Sequence, residues 1–337
     1  AYLAELDRHA ARTAGRTVTS VFFGGGTPSL MDPATTASVI DGIRARWPVA
    51  GDVEITLEAN PSSVEASRFG AFAAAGVNRI SIGVQAFDND ALAFLGRAHD
   101  AAQAEAAIAA AAGAVPRFSF DLIYARPGQS VAAWRDELER ALAFAPEHLS
   151  VYQLTIEKGT AFHKQGVPAA PEDRAVDLWE VTQARLAEAG LPAYEISNHA
   201  RGAQHQSSHN RIYWASGDWA GVGPGAHGRF TTGEERWATE AADRPGDYMQ
   251  QVTSNGLGWA MVEKLDDLAH ARERVAMGLR VAEGFRVSDV HELGQMPDAT
   301  RVSEYMREGL VSASEDRIAL TQAGRLLADR IAAEISP

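Results

Sequence analysis

Residues 22–30 read FFGGGTPSL, placing Gly24, Gly25, Gly26 and the Thr27 hydroxyl directly after an apolar, aromatic run. Glycine tolerates positive φ and lets a ligand approach main-chain N–H groups, so such a turn ahead of a helix suits an anion or a cofactor head group. A tight loop without a ligand fits the spacing equally well. The stretch has neither the Gly-Lys-Ser/Thr of a P-loop nor the G-x-G-x-x-G spacing of a dinucleotide fingerprint. Three more polar residues stand in or at the end of later apolar runs: Glu58 in TLEANPSS, Gln85 in SIGVQAF and Asp121 in FSFDLIYARPGQS. One acid in such a place is usually a cap or a core ion pair. Three at successive parallel strands converge on one face of a barrel, where barrel folds carry their sites. Arg97, in FLGRAH, is a candidate cation for a carboxylate, or else a solvated helix-end residue.

A second group lies further along. Between residues 199 and 227 there are four histidines, His199, His205, His209 and His227, beside the glycine run GVGPGAHG at 221–228. Neutral imidazole is a common metal ligand, haem iron included. His205 and His209 are four apart, but Gln206-Ser207-Ser208 is poor helix and lacks the glutamate of a zinc-protease motif. In HNRIYW, Tyr213 and Trp214 offer flat apolar area for a large planar ligand next to His209 and Asn210. A single loop histidine is, taken alone, more often solvated than ligating.

These residues need a scaffold, and the first 200 residues supply one. Short apolar runs at 18–23, 53–58, 79–85, 118–124 and 148–154 read as strands of a covered parallel sheet, with a further strand at 192–196. Helical periods fall between them at 35–47, 101–112, 133–144 and 173–189, and Ser62 with Glu65 forms a capping-box signature. The alternation predicts an α/β barrel-type architecture over 1–197. Residues 198–264, rich in Gly, Ser, Asn, His and Trp, read as a loop-rich extension. Helices at 265–280, 288–294, 301–309 and 321–335, with a β-ribbon inside 309–324, predict a winged-helix-like module over 265–337. That module carries nine arginines, no lysine and thirteen acidic residues. A DNA-binding wing is basic, so a structural or protein-contact role is expected instead.

The whole chain has 337 residues and a net charge of −13, which disfavours nucleic acid as a partner. No apolar run approaches the ~20 residues of a membrane span, so the expected placement is cytoplasmic and any membrane contact peripheral. There is no cysteine, so no thiolate is present for a zinc or iron–sulfur site.

Taken in order, FFGGGTPSL, EANP, NRISIGVQAF, LGRAH, DLIYARPGQ, LSVYQLTIEKGT and HNRIYW…GVGPGAHG resemble the radical S-adenosylmethionine proteins related to oxygen-independent coproporphyrinogen III oxidase. The resemblance covers essentially the whole chain and implies a partial (β/α)6 TIM-like barrel with a C-terminal helical, winged-helix-like domain. It implies S-adenosylmethionine bound across the strand ends by Gly24, Gly25, Gly26, Thr27, Glu58, Gln85, Arg97, Asp121 and Thr155. The HNRIYW stretch matches a motif tied to haem binding in the family's haem chaperones, with His209 as the iron ligand and Asn210, Tyr213 and Trp214 beside it. That branch is expected to deliver haem to respiratory haem proteins. The alternative is radical decarboxylation of coproporphyrinogen III.

Two departures from the family pattern stand out. The family binds a [4Fe–4S] cluster through C-x3-C-x2-C after its first strand, and no cysteine occurs here. Because Ala1 falls inside a helical period, the expectation is that the first strand and cluster loop, roughly 30–45 residues, lie outside this sequence. Ala125 also stands where many relatives carry glycine.

Overall fold

The computed structural model describes residues 1–337. Its first elements are α1 (Tyr2–Arg12), β1 (Val18–Phe23), α2 (Pro33–Arg44), β2 (Val49–Ala59), α3 (Ser63–Ala66), α4 (Phe69–Ala74), β3 (Arg79–Gln85), α5 (Asn89–Phe94) and α6 (Ala101–Ala114). Then come β4 (Arg117–Tyr124), α7 (Val131–Leu142), β5 (His148–Gln153), α8 (Ala161–Lys164), α9 (Glu172–Glu188), β6 (Asn198–Ala200), α10 (Ser208–Trp214), β7 (His227–Thr232), β8 (Glu235–Ala241) and α11 (Pro245–Asn255). The chain ends with β9 (Trp259–Leu265), α12 (Asp267–Gly278), β10 (Phe285–Arg286), α13 (Val287–His291), α14 (Ala299–Arg307), β11 (Val311–Ala313), β12 (Arg317–Leu320) and α15 (Ala328–Ile335). Two units result, one of Ser20–Ala37 with Glu54–Gln206, the other of Ala1–Thr19, Ser38–Val53 and Ser207–Pro337.

The first unit holds most of a six-stranded sheet in sequential order, β1 to β6. Strands β2 to β5 pair in parallel, with Leu57 opposite Ile80, Ile80 opposite Phe118 and Phe120 opposite Leu149. Successive side chains point to opposite faces. One face carries Leu57, Ile80, Ile82, Val84, Phe120, Leu122 and Leu149, none of which has any exposed surface. The other carries Thr56, Glu58, Arg79, Ser81, Ser119, Asp121, His148 and Ser150. Only the helix-covered face is apolar. The inner face is polar because it lines the partial barrel. Its amino end is closed by ions: Arg117 Nη1 donates to Glu54 Oε2 (2.7 Å), and Arg79 Nη2 donates to Ser119 Oγ (2.7 Å).

A strand was expected at 192–196. The sixth strand is instead Asn198–Ala200, antiparallel to β5. Pro192 has no N–H for a ladder, and Ala193 forms only an isolated bridge to His199, so the chain turns back before it can pair.

In the second unit, β7, β8 and β9 form an antiparallel sheet, so residues 198–264 are not the loop-rich extension expected from composition. HGRFTT and ERWATEA lack an apolar run because the sheet is held by cross-strand pairs such as Phe230 opposite Trp237 and by buried charge. Arg236, only 3% exposed, donates to Asp218 Oδ1 (3.0 Å), which also accepts from Thr231 N through Oδ2 (2.7 Å). The C-terminal order α12, β10, α13, α14, β11, β12, with a β10-β12-β11 sheet, is that of a winged helix.

Helix α1 belongs to this second unit and carries its most buried acid. Glu5 is fully buried and accepts three hydrogen bonds: Gly258 N to Oε1 (2.8 Å), Gly223 N to Oε2 (3.1 Å) and Tyr248 Oη to Oε2 (2.6 Å). A Cβ at Gly258 would lie 2.2 Å from the Tyr248 ring, so glycine is required there for the backbone to reach the carboxylate. The glycine run at 221–228 is therefore occupied by the chain's own carboxylate.

Candidate functional site

The glycine turn after β1 meets the end of β2. Gly25 N donates to Glu58 Oε2 (3.3 Å), and Asn60 Nδ2 donates to Thr27 Oγ1 (3.3 Å). A Cβ on Gly24 would lie 2.7 Å from the Phe22 ring and 3.2 Å from Glu58 Oε2. Gly25 and Gly26 both have positive φ, 76° and 56°, with open space where a side chain would go. Gln85 closes the group from β3: a side chain at Gly83 would meet the Gln85 amide at 3.0 Å and Asn60 Oδ1 at 4.0 Å. Gln85 has φ of 69°, at a register shift between β3 and β4, a conformation costly for a residue with a Cβ and common at functional sites.

Asp121 follows on β4, in register with Ser150 of β5. Its carboxyl is pushed up to about 7, first by burial and then by the like charge of Glu58, against a hydrogen bond from Ser150 and the charges of Arg79 and Arg97. Burial also raises Glu58, opposed by the Gly25 N–H and by Arg79. Gly24, Gly25, Gly26, Thr27, Glu58, Gln85 and Asp121 thus converge on one end of the partial barrel. Arg97 is exposed after α5 and bears on Asp121 only through its charge. Thr155 is exposed beyond β5, just after Leu154 N donates to Tyr124 O (2.8 Å), and makes no hydrogen bond to the turn.

Several supporting residues were not expected from the sequence, and the Ser62–Glu65 pair does more than cap a helix. Ser62 caps α3 by accepting from Glu65 N (3.2 Å), but the Glu65 carboxylate does not return to the Ser62 N–H as a capping box requires. It accepts instead from Asn60 N (2.8 Å) and from Ser29 Oγ, joining the loops after β1 and β2. Arg68 donates to Ser29 O (2.9 Å) and Met31 O (2.6 Å) from the same side. Glu137 of α7 accepts from Phe87 N (2.8 Å) and pairs with Arg126, tying together the loops after β3 and β4. Alternation along β2 to β4 was the available signal for Asn60 and Arg79, and the capping-box spacing marked Glu65 only as a helix cap; nothing local marked Arg68 or Glu137.

Ala125 directly follows β4 and is buried, with φ of 59°. Glycine adopts this left-handed conformation freely and alanine does not, which gives the departure noted above a physical cost.

The histidines separate. His199 is buried on β6, with Gln183 Nε2 3.4 Å from its Nε2, and His205 lies 3.1 Å from Glu147. His209 sits in α10, so SSHNRIYW is a short helix rather than the expected loop. Gln206-Ser207-Ser208 only begins it: Ser207 is the N-cap, accepting from Asn210 N (3.3 Å), where serine is favoured. His209 and Tyr213, four apart on one helix face, have ring centres 4.3 Å apart. Trp214 lies under the Arg280 guanidinium at 4.9 Å, and Asn210, next to His209 in sequence, is partly buried. His227 is exposed at the start of β7.

The Radical SAM superfamily model matches residues 2–141 and the HemN C-terminal domain model matches residues 265–327. A protein from Mycobacterium tuberculosis named heme chaperone HemW is 35% identical over 97% of this chain and 83% of its own length. HemW from Escherichia coli is 43% identical over 74% of this chain, and the mouse mitochondrial radical S-adenosyl methionine domain-containing protein 1 is 42% identical over 79%. Those two matches span only 66% and 62% of the relatives' own lengths. Among solved structures, coproporphyrinogen III oxidase (HemN) from Escherichia coli superposes with a TM-score of 0.82 at 22% identity, covering 99% of this chain and 81% of that one, a likeness of fold.

Proposed function

Because this chain belongs to the HemW family of the radical S-adenosylmethionine superfamily, we propose that the protein is a haem chaperone. It binds haem through His209 and S-adenosylmethionine at the glycine turn, and passes haem to respiratory haem proteins. The observation that carries the reading is α10, where a partly buried histidine stands on one helix face with Tyr213 and is followed by Trp214. Imidazole supplies an iron ligand and the aromatic rings supply flat apolar surface.

The glycine turn fits a small zwitterion with a cationic centre. The open space beside Gly25 and Gly26 lets a carboxylate approach the turn, and Glu58, Gln85 and Asp121 offer acceptors for an amino group and hydroxyls. Arg97 and Thr155 complete the proposed set from the rim. In this superfamily a [4Fe–4S] cluster holds S-adenosylmethionine and supplies reductive cleavage. The residues of this chain do not fit that cluster, since they include no cysteine and no group of three or more metal-ligating side chains. The roles proposed for the chain's own residues are binding and orientation. The reading places the protein in the cytoplasm with at most peripheral membrane contact, although the mouse relative is named as mitochondrial.

Titrating ferric haem into the protein and into His209→Ala tests the proposal. A Soret change in the wild type that is lost in the variant is expected; equal changes in both would remove His209 as the ligand. An anaerobic assay with coproporphyrinogen III as substrate separates the oxidase alternative, since only an oxidase yields protoporphyrinogen from it.

A further inference from the structure

The ring contact between His209 and Tyr213 does not end at the helix. Tyr213 packs on Trp219, with ring centres 4.3 Å apart and planes tilted by 44°. Trp219 lies outside α10 and outside the HNRIYW motif. It is fixed by a two-way backbone bridge to Arg229, with Trp219 N donating to Arg229 O (2.7 Å) and Arg229 N donating to Trp219 O (2.9 Å). Its indole Nε1 donates to His227 O (3.1 Å), so the ring cannot turn without losing that bond. The Arg229 guanidinium lies over the Trp219 ring at 5.7 Å, and its Nε donates to Glu273 Oε2 (2.8 Å).

We infer that Trp219 and Arg229 are positioning residues for His209, forming with Tyr213 a column of tilted ring contacts that holds the imidazole in the orientation needed to ligate iron. The inference rests on the haem reading. An imidazole's outer torsion is broad, so an unsupported histidine samples many ring directions. Iron needs one of them, because the nitrogen lone pair must point along the metal bond. His209 is the second residue of a seven-residue helix, near an end where the backbone gives least support. The column supplies the support from a sheet strand, through a cation–π contact and two ring contacts.

The test is a cycle of ferric-haem titrations in the full chain. Trp219→Leu is expected to weaken haem binding about tenfold, the scale of ordering one freed side chain, and to shift the Soret band toward a mixed ligation state. Trp219→Phe, which keeps a ring, should restore most of the affinity. The same Trp219→Leu change is then made in His209→Gly with saturating free imidazole as the iron ligand, where it should alter affinity less than about twofold. Equal loss in both backgrounds would show that Trp219 merely builds the pocket, and no loss in either would show that the column is idle; both overturn the inference. If Trp219→Leu lacks a cooperative melt, Arg229→Gln carries the test, with a loss of about threefold expected only when His209 is the ligand; no loss overturns it. A wild type whose Soret band ignores His209 overturns the haem reading itself, and the positioning role with it.

Discussion

Replacing Asp121 with asparagine isolates one proton in the barrel. The ordinary aspartate value is 3.8, and burial with the neighbouring Glu58 charge lifts it to about 7 in the folded protein. Between those values the native carboxyl keeps a proton that the unfolded chain has released. The wild type is therefore stabilised by this group below pH 3.8, and the stabilisation is lost as pH rises through about 7. The full shift corresponds to about 4 kcal/mol at ~1.4 kcal/mol per unit. Because Asp121 is partly exposed and shares its charge state with Glu58, about 2 kcal/mol is the working figure. Asparagine is nearly isosteric and never ionises. The stability of Asp121→Asn relative to wild type should thus improve by about 2 kcal/mol between roughly pH 4 and pH 8. Guanidinium unfolding of both proteins at the two pH values measures this, since most other titrating groups cancel in the difference. A pH-independent difference would refute the reasoning, as would a carboxyl carbon resonance for Asp121 that titrates near the ordinary value.

Other expectations follow from the same geometry. Glu5→Ala strips buried Gly223 and Gly258 N–H groups of their acceptor and should cost about 3–5 kcal/mol by chemical denaturation, whereas Glu147→Ala at a half-exposed site should cost under about 0.5 kcal/mol. Ala125→Gly should leave stability within about 1 kcal/mol, relief of the positive φ offsetting added chain entropy, while Ala125→Val should destabilise by more than about 2 kcal/mol in thermal melts. Anaerobic reconstitution of these residues with iron and sulfide should give no stoichiometric cluster by iron analysis; one cluster per chain would refute this.

The parallel strands were legible because each buries one unbroken side, and β1, β3 and β5 begin at the expected residues. The polar half of those strands was read only at Glu58 and Asp121, with Gln85 at a strand end, because Ser81, Ser119 and Ser150 carry no signal beyond alternation. Residues 198–264 misled because an antiparallel sheet held by Arg236 and aromatic pairs has no apolar run to find. HNRIYW stood out by composition, but Trp219 is five residues beyond it and outside the helical period. What the glycine run at 221–228 holds could not be read locally, because Glu5, which accepts from Gly223 N, lies 218 residues away.

That separation bears on synthesis. The Glu5 carboxylate also accepts from Gly258 N, 253 residues downstream. At about 5–20 residues per second, Glu5 is made some 10–50 s before its backbone donors Gly223 and Gly258 exist. Throughout that interval the Glu5 carboxylate lacks its native donors, and before it ends residues 20–37 and 54–206, which form the other unit, are already made. The surroundings of Glu5 are thus completed only once residues 223–258 have been made, and until then this face of α1 is a segment a holdase could cover.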